Sequence, residues 1–183
     1  MSYFCRYLKI KIEFYQQVNS FKKLEIEFPI TIYVANGKME VIMKNHSISH
    51  LIKSEDLNHH GTLYAGRSAE WMVEAAFVAA AAEHGKPQEI VFVNIHELNF
   101  KKPVPKGDII TVLSKIAKVG NTSITVYVKA VSEIFKTSHM DGFLTFVCVE
   151  PDTKRKKVHG IIMDEPADSE EKDIRKRALE LYK

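Results

Sequence analysis

Apolar and polar positions along this chain fall into one helical stretch set among runs of strand-like alternation. From Arg67 to Glu83 there is no glycine or proline, and the stretch stops at Gly85-Lys86-Pro87, which predicts a helix with a defined end. Its second half, Ala75 to Ala82, is apolar on every side and is therefore expected to be wrapped by other structure. His46 to Lys53 alternates as a half-buried strand. Four more strands are predicted after the helix, over Glu89–Phe100, Asp108–Val119, Ser123–Phe135 and Met140–Glu150. Pro103, Pro105 and Gly107 mark the first break, Gly120-Asn121 the second and Thr137-Ser138 the third. Strands of this length imply strong curvature. Val158 to Met163 is expected to extend an edge. Ser169 to Tyr182 reads as a charged amphipathic helix, with Ile174, Ala178, Leu179 and Leu181 inward and Ser169 as N-cap.

Ahead of this block, Lys23 to Met43 places alternating runs on either side of Asn36-Gly37, a strong hairpin signal. Pro29 puts its strand at an edge or splits it. Residues 1–22 fit a helix or a strand equally well. The order strand, buried helix, four antiparallel strands predicts an α+β unit in which one curved antiparallel sheet wraps a long central helix. The expected divisions are an N-terminal extension over 1–44, the main domain over 45–163 and a C-terminal helix over 164–183.

With 183 residues, 45% hydrophobic and 27% charged, the chain suits one domain with appendages. A net charge of +3 is too mild for a dedicated nucleic-acid binder, and no DNA-binding helix pair is visible. Cys5 and Cys148 match no metal or disulfide spacing, so free thiols in a reducing cytoplasm are expected. No apolar run approaches the roughly 18 residues of a membrane span, and the start lacks the features of a signal peptide.

The candidate chemistry gathers at the start of the helix. Asn58, His59 and His60 occupy a glycine-punctuated loop that feeds it. Glu70 and Glu74, four residues apart, share one helix face. Either they are carboxylates held in a site, or they are exposed acids that simply favour the helix N-terminus. Adjacent His59 and His60, with no third ligand at a sensible spacing, do not suggest a metal. Lys101, Lys102 and Lys106 surround a proline-stiffened turn, and Asn121, Thr122 and Ser123 open a strand with three small polar groups.

These residues resemble the hot-dog-fold acyl-CoA thioester hydrolases over roughly residues 46–150. Asn58-His59-His60-Gly61 is similar to the family's Asn-x-x-Gly loop, and Ala65-Gly66 stands where Gly-Gly is usual. Pro103-Val104-x-x-Gly107-Asp108 followed by Gly120-Asn121-Thr122-Ser123 resembles its strand-turn-strand signature. The family's helix acid falls seven residues after the second glycine, and that position here is Val73. Glu74 follows it, and Glu70 lies one turn earlier.

The resemblance implies hydrolysis of a fatty or small acyl-CoA without any cofactor. Glu74 or Glu70 would serve as base, Gly66 as oxyanion donor and Asn58 as orienting group. His60, Gly61, Arg67, Lys101, Lys102, Asn121, Thr122 and Ser123 would contact the substrate. It further implies a homodimer with sites at its interface, extendable to a tetramer or hexamer, and no nucleic-acid or membrane partner. Two alternatives stand beside it. One is an acyl-thioester dehydratase or hydratase that pairs His60 with a helix acid. The other is an acyl-CoA binder without catalysis.

Overall fold

The computed structural model describes residues 45–181 in full and, before them, the backbone of three short strands. The chain forms two compact units, Met1–Ile42 and Met43–Lys183. In the first, β1 (Lys23–Glu25), β2 (Thr31–Ala35) and β3 (Lys38–Val41) make an antiparallel meander. Ala35 pairs with Lys38, which leaves two positions for the turn that Asn36-Gly37 predicts. Asn36, Gly37, Pro29 and residues 1–22 lie outside the described residues.

The second unit runs β4 (His46–Leu51), α1 (Ala65–His84), β5 (Ile90–Phe100), β6 (Ile109–Val119), β7 (Ser123–Ser132), β8 (Ser138–Cys148) and α2 (Ser169–Glu180). Its five strands form one antiparallel sheet in the order β4-β6-β7-β8-β5. Along α1 the side chains facing the sheet are short: Ala75, Ala76, Ala79 and Ala80 are fully buried, with Met72 one turn before them. They meet Val112, Ile116, Val126, Leu144 and Phe146. The sheet curves round a helix whose contact face is almost all methyl groups. This is the α+β hot-dog arrangement that the resemblance implies. The helix ends on Gly85 at φ +75°, whose N–H bonds the Ala81 carbonyl at 2.8 Å.

Burial of the helix is less complete than its sequence predicts. Glu70, Glu74, Val78 and Ala82, each four apart, form an exposed stripe, because the sheet covers only the other side. Conversely, the sheet's second face is not bare. α2 lies on it, burying Ile174 and Ala178 against Ala117, Tyr127 and Phe143. The cap of α2 is Asp168 rather than Ser169: its carboxylate accepts from the Glu171 N–H at 2.8 Å, while the Glu171 carboxylate reaches back to the Ala167 N–H at 3.3 Å.

Two other expectations are corrected. β7 stops at Ser132, and the turn spans 133–136 rather than Thr137-Ser138. The Ser132 hydroxyl accepts from the Phe135 N–H at 2.9 Å, and Lys136 sits at φ +53°, so local side-chain bonding overrides the apolar run and leaves Ile134 and Phe135 exposed. Val158–Met163 forms no strand. Gly160 at φ +71° breaks the extension, and Val158 and Ile162 are exposed.

The edge strand β5 is irregular. Its register against β8 shifts between Phe92 and Asn94 and again between His96 and Asn99, with Glu97 at φ +46°. Opposite the second shift stands Gly142, where a Cβ would come within 3.2 Å of the Glu97 carbonyl and the Leu98 backbone. Val91, Phe92, Val93 and Ile95 are exposed along this edge. Among the described residues no helix is long and apolar enough to cross a membrane.

Leu144 is fully buried in the helix-facing core, whereas Leu179 on α2 is 59% exposed. Leu144→Ala is expected to lower stability by about 2–5 kcal/mol and Leu179→Ala by less than about 0.5 kcal/mol, read from urea unfolding midpoints.

Candidate active site

The loop before α1 is folded by its own side chains. Asp56 ends a short 3-10 turn, where its carboxylate accepts from the Lys53 N–H at 3.0 Å and its carbonyl from the Tyr64 N–H at 2.8 Å. Within that frame the Asn58 Oδ1 accepts from the N–H groups of His60 (2.9 Å) and Thr62 (3.3 Å), and its Nδ2 donates to the Thr62 hydroxyl at 3.2 Å. Gly61 supplies the φ of +75° that closes the turn. Asn58 is thus the turn-forming residue of its loop, and the second N–H of its amide is left to donate elsewhere.

Tyr64 caps α1 without a side-chain bond, and Gly66 is its second residue. The first-turn N–H groups have no intrahelical acceptor and carry the positive end of the helix dipole. A Cβ on Gly66 would collide with the Tyr64 ring, which lies over this glycine while remaining 57% exposed. The absence of a side chain at Gly66 is what lets the Tyr64 ring lie against the backbone here.

A cleft of about 200 Å³ opens beside this helix end. Asn58, Ala65 and Ser68 line one side and Phe100, Lys101 and Lys102 the other, over Leu63 and Val104. The fold therefore brings together the Asn58 loop, the start of the helix and the lysine turn. The two lysines are not equivalent. Lys101 Nζ is bound to the Asp141 carboxylate at 2.7 Å, whereas Lys102 has no carboxylate partner among the described residues.

Asp141, only 4% exposed, also takes hydrogen bonds from Asn99 and from the Tyr127 hydroxyl, both at 3.3 Å, and Arg177 of α2 stands 3.9 Å away. Burial, followed by the Asp141 charge, pushes the Tyr127 phenol up to about 12. The sequence signal for Asp141 was a lone acid inside the apolar run Met140–Val147.

The helix acids lie outside this cleft. Glu70 is exposed and held by Arg67 at 2.7 Å, and Arg67 also reaches Asp56 at 3.5 Å. Glu74 is exposed, with no hydrogen bond or ion pair among the described residues. It stands toward β4, where the His50 ring stacks on Trp71 with centroids 4.1 Å apart. Burial pulls the His50 imidazole below its usual value, against the opposing charges of Glu74 and Asp56. Val73 is half-buried against the core. His59 and His60 are exposed, with ring centroids 3.8 Å apart.

Asn121, Thr122 and Ser123 are elsewhere. Ser123 pairs with Val147, while the cleft lies against Met140, seven residues or ~23 Å back along β8. One chain does not unite that turn with the lysine turn.

A family model described as the thioesterase superfamily matches residues 60–134. An uncharacterized acyl-CoA thioester hydrolase of Haemophilus influenzae is 30% identical over 108 residues, which are 55% of this chain and 68% of that protein. The chain belongs to the thioesterase superfamily. Within it, an uncharacterized acyl-CoA thioester hydrolase of Bacillus subtilis, YkhA, is 30% identical over 103 residues, 54% of this chain. The chain spans only 59% of that relative's length. Among solved structures, that of an apo-hexameric acyl-CoA thioesterase superposes with a TM-score of 0.67 at 25% identity, covering 75% of this chain and 88% of the other.

Asn58→Asp keeps the acceptor for His60 and Thr62 but loses the amide donor, whereas Asn58→Ala loses both. Urea unfolding should place Asn58→Asp within about 0.5 kcal/mol of the parent and Asn58→Ala about 1–2 kcal/mol below it. Equal losses in the two variants would show that the acceptor does not hold the loop.

Proposed function

We propose that this chain hydrolyses acyl-CoA thioesters to free acid and CoA. The observation that carries the proposal is the cleft that Asn58 and the first turn of α1, through Ala65 and Ser68, share with a lysine turn; the spare Asn58 N–H and the uncapped first-turn N–H groups belong to those two elements. Those N–H groups suit the oxyanion of a thioester under attack. Lys102, with its ammonium uncommitted, suits a CoA phosphate, and Lys101 shapes the turn through Asp141. His60 and Gly61 on the loop and Arg67 in the first helical turn would meet the substrate from the elements that carry Asn58 and Ala65.

Glu74 is assigned as base because Glu70 is already neutralised by Arg67. It removes a proton from water as the oxygen attacks the carbonyl carbon. Collapse of the tetrahedral intermediate breaks the carbon–sulfur bond, and the proton returns from Glu74 to the departing CoA thiolate. No cofactor enters these steps.

Because Glu74 stands outside the cleft of its own chain, the complete site is shared in a homodimer, with the Asn58 loop of one copy facing the Glu70–Glu74 stripe of the other. The exposed stripe and the apolar β5 edge support pairing. The Asn121–Ser123 turn likewise meets the CoA only from a second copy. Tetramers or hexamers would be built on that dimer; the apo acyl-CoA thioesterase that superposes on this chain is hexameric. A second reading, an acyl-CoA binder without turnover, is favoured by Val73, which puts an apolar core contact where the family's acid belongs.

Thiol release across a series of acyl-CoA lengths tests both readings. Glu74→Gln should lower turnover by roughly 10²–10⁴-fold and Glu70→Gln by much less. Unchanged turnover in both variants rejects the carboxylate mechanism, and binding without thiol release by the parent establishes the second reading. Sedimentation at micromolar concentration should show no monomer. Mixing Asn58→Ala with Glu74→Gln subunits should restore part of the activity; a fully active monomer would overturn the shared site.

A further inference from the structure

At the end of the sheet remote from the cleft, three side chains with metal-binding atoms meet out of solvent. His84 is the last residue of α1, Glu89 closes the turn before β5, and Cys148 ends β8. The side chains of His84 and Glu89 are each 7% exposed, and Cys148 is fully buried. His84 Nε2 lies 2.8 Å from Glu89 Oε2 and 3.4 Å from Cys148 Sγ, and Sγ lies 3.8 Å from the same carboxylate oxygen. All three donor atoms fall within 4.8 Å of one another.

A tetrahedral zinc-type centre, with metal–ligand distances of about 2.0–2.3 Å, needs its ligand atoms about 3.3–3.6 Å apart. Shifts of a few tenths of an ångström would bring these three to that spacing.

Proton placement at the cluster also points to a cation. If His84 Nε2–H donates to Glu89, that nitrogen cannot also accept from the Cys148 thiol. The thiol is then left with a contact of 3.8 Å, at the outer limit for sulfur. One ion at the centre would bind Nε2, Sγ and Oε2 at once.

The surroundings are compatible with this. Lys157 bonds the other oxygen of Glu89, Oε1, at 2.7 Å, and Lys86 stands 3.9 Å from it. Oε2 is thereby left to a single ligand bond, with the carboxylate oriented from behind.

We propose that His84, Glu89 and Cys148 form a three-ligand site for a thiophilic divalent metal ion of the zinc class, which fastens the end of α1 to β8 and to the turn before β5. Binding replaces the thiol proton, which leaves to solvent, with the metal–sulfur bond. Water takes the fourth tetrahedral position. Met140, beside the cleft, is eight residues or ~26 Å along β8 from Cys148, so the ion is structural and separate from thioester chemistry.

The test uses the full chain carrying Cys5→Ser, so that Cys148 is its single thiol. Cobalt(II) titration should saturate at one equivalent, with a near-ultraviolet thiolate-to-cobalt band and the visible bands of a tetrahedral ion, and zinc(II) should bleach both. Cys148→Ser should lose the thiolate band. Glu89→Gln, which retains the thiol, should require a higher cobalt concentration for the same band. Zinc should also raise the melting temperature of the parent and protect Cys148 from a thiol reagent. A chain with native circular dichroism that takes up cobalt without a thiolate band, or whose thiol reacts equally fast with and without zinc, overturns the site.

Discussion

The contact on which the second unit depends is the close seating of α1 on its sheet. Alanines at 75, 76, 79 and 80 offer nothing larger than a methyl group, so the helix axis can approach the strands closely. The approach is near enough for the buried Ser114 hydroxyl on β6 to bond the Ala75 carbonyl at 2.9 Å. A helix pinned this way cannot rotate without driving a larger side chain into the sheet. Its two ends are fixed as a result: Ala65 and Ser68 line the cleft, and His84 is delivered to the far end beside Glu89 and Cys148.

The large features were legible because they rest on period and punctuation. The helix from its glycine-free run, the five strands from their alternation and the stop at Gly85 are local facts of sequence. The errors share a cause as well. The end of β7 was set by a serine hydroxyl, the start of α2 by an aspartate one residue early, and Val158–Met163 by one positive-φ glycine. In each case a single side-chain bond or backbone angle outweighed an apolar pattern.

The candidate site was legible only in part. Asn58 and the lysine turn converge on the cleft, because the loop and the end of β5 lie against the same helix terminus. The exposure of Glu74, the engagement of Lys101 by Asp141 and the remoteness of Asn121–Ser123 depend on pairing between distant strands. His84, Glu89 and Cys148 show the same limit, since Cys148 lies 64 and 59 positions from its neighbours in space. Asp141 likewise acquires its meaning only when β5 and α2 are in place. It joins Lys101 at the cleft to Tyr127 beneath α2 and to Arg177 of α2 itself, which makes the C-terminal helix a support for the cleft wall.

The two irregularities of β5 set limits on anything that pairs with its free side. A regular ladder needs evenly placed donors and acceptors, and the displaced backbone at Val93 and at Glu97–Leu98 interrupts that spacing. A long foreign strand laid along this edge would lose register twice within eleven residues. Only a strand with matching kinks, as a twofold-related copy of β5 itself would have, could follow it throughout. The edge therefore acts as a lock against indiscriminate strand addition: its apolar side chains invite contact, while its backbone shape restricts which strand can answer.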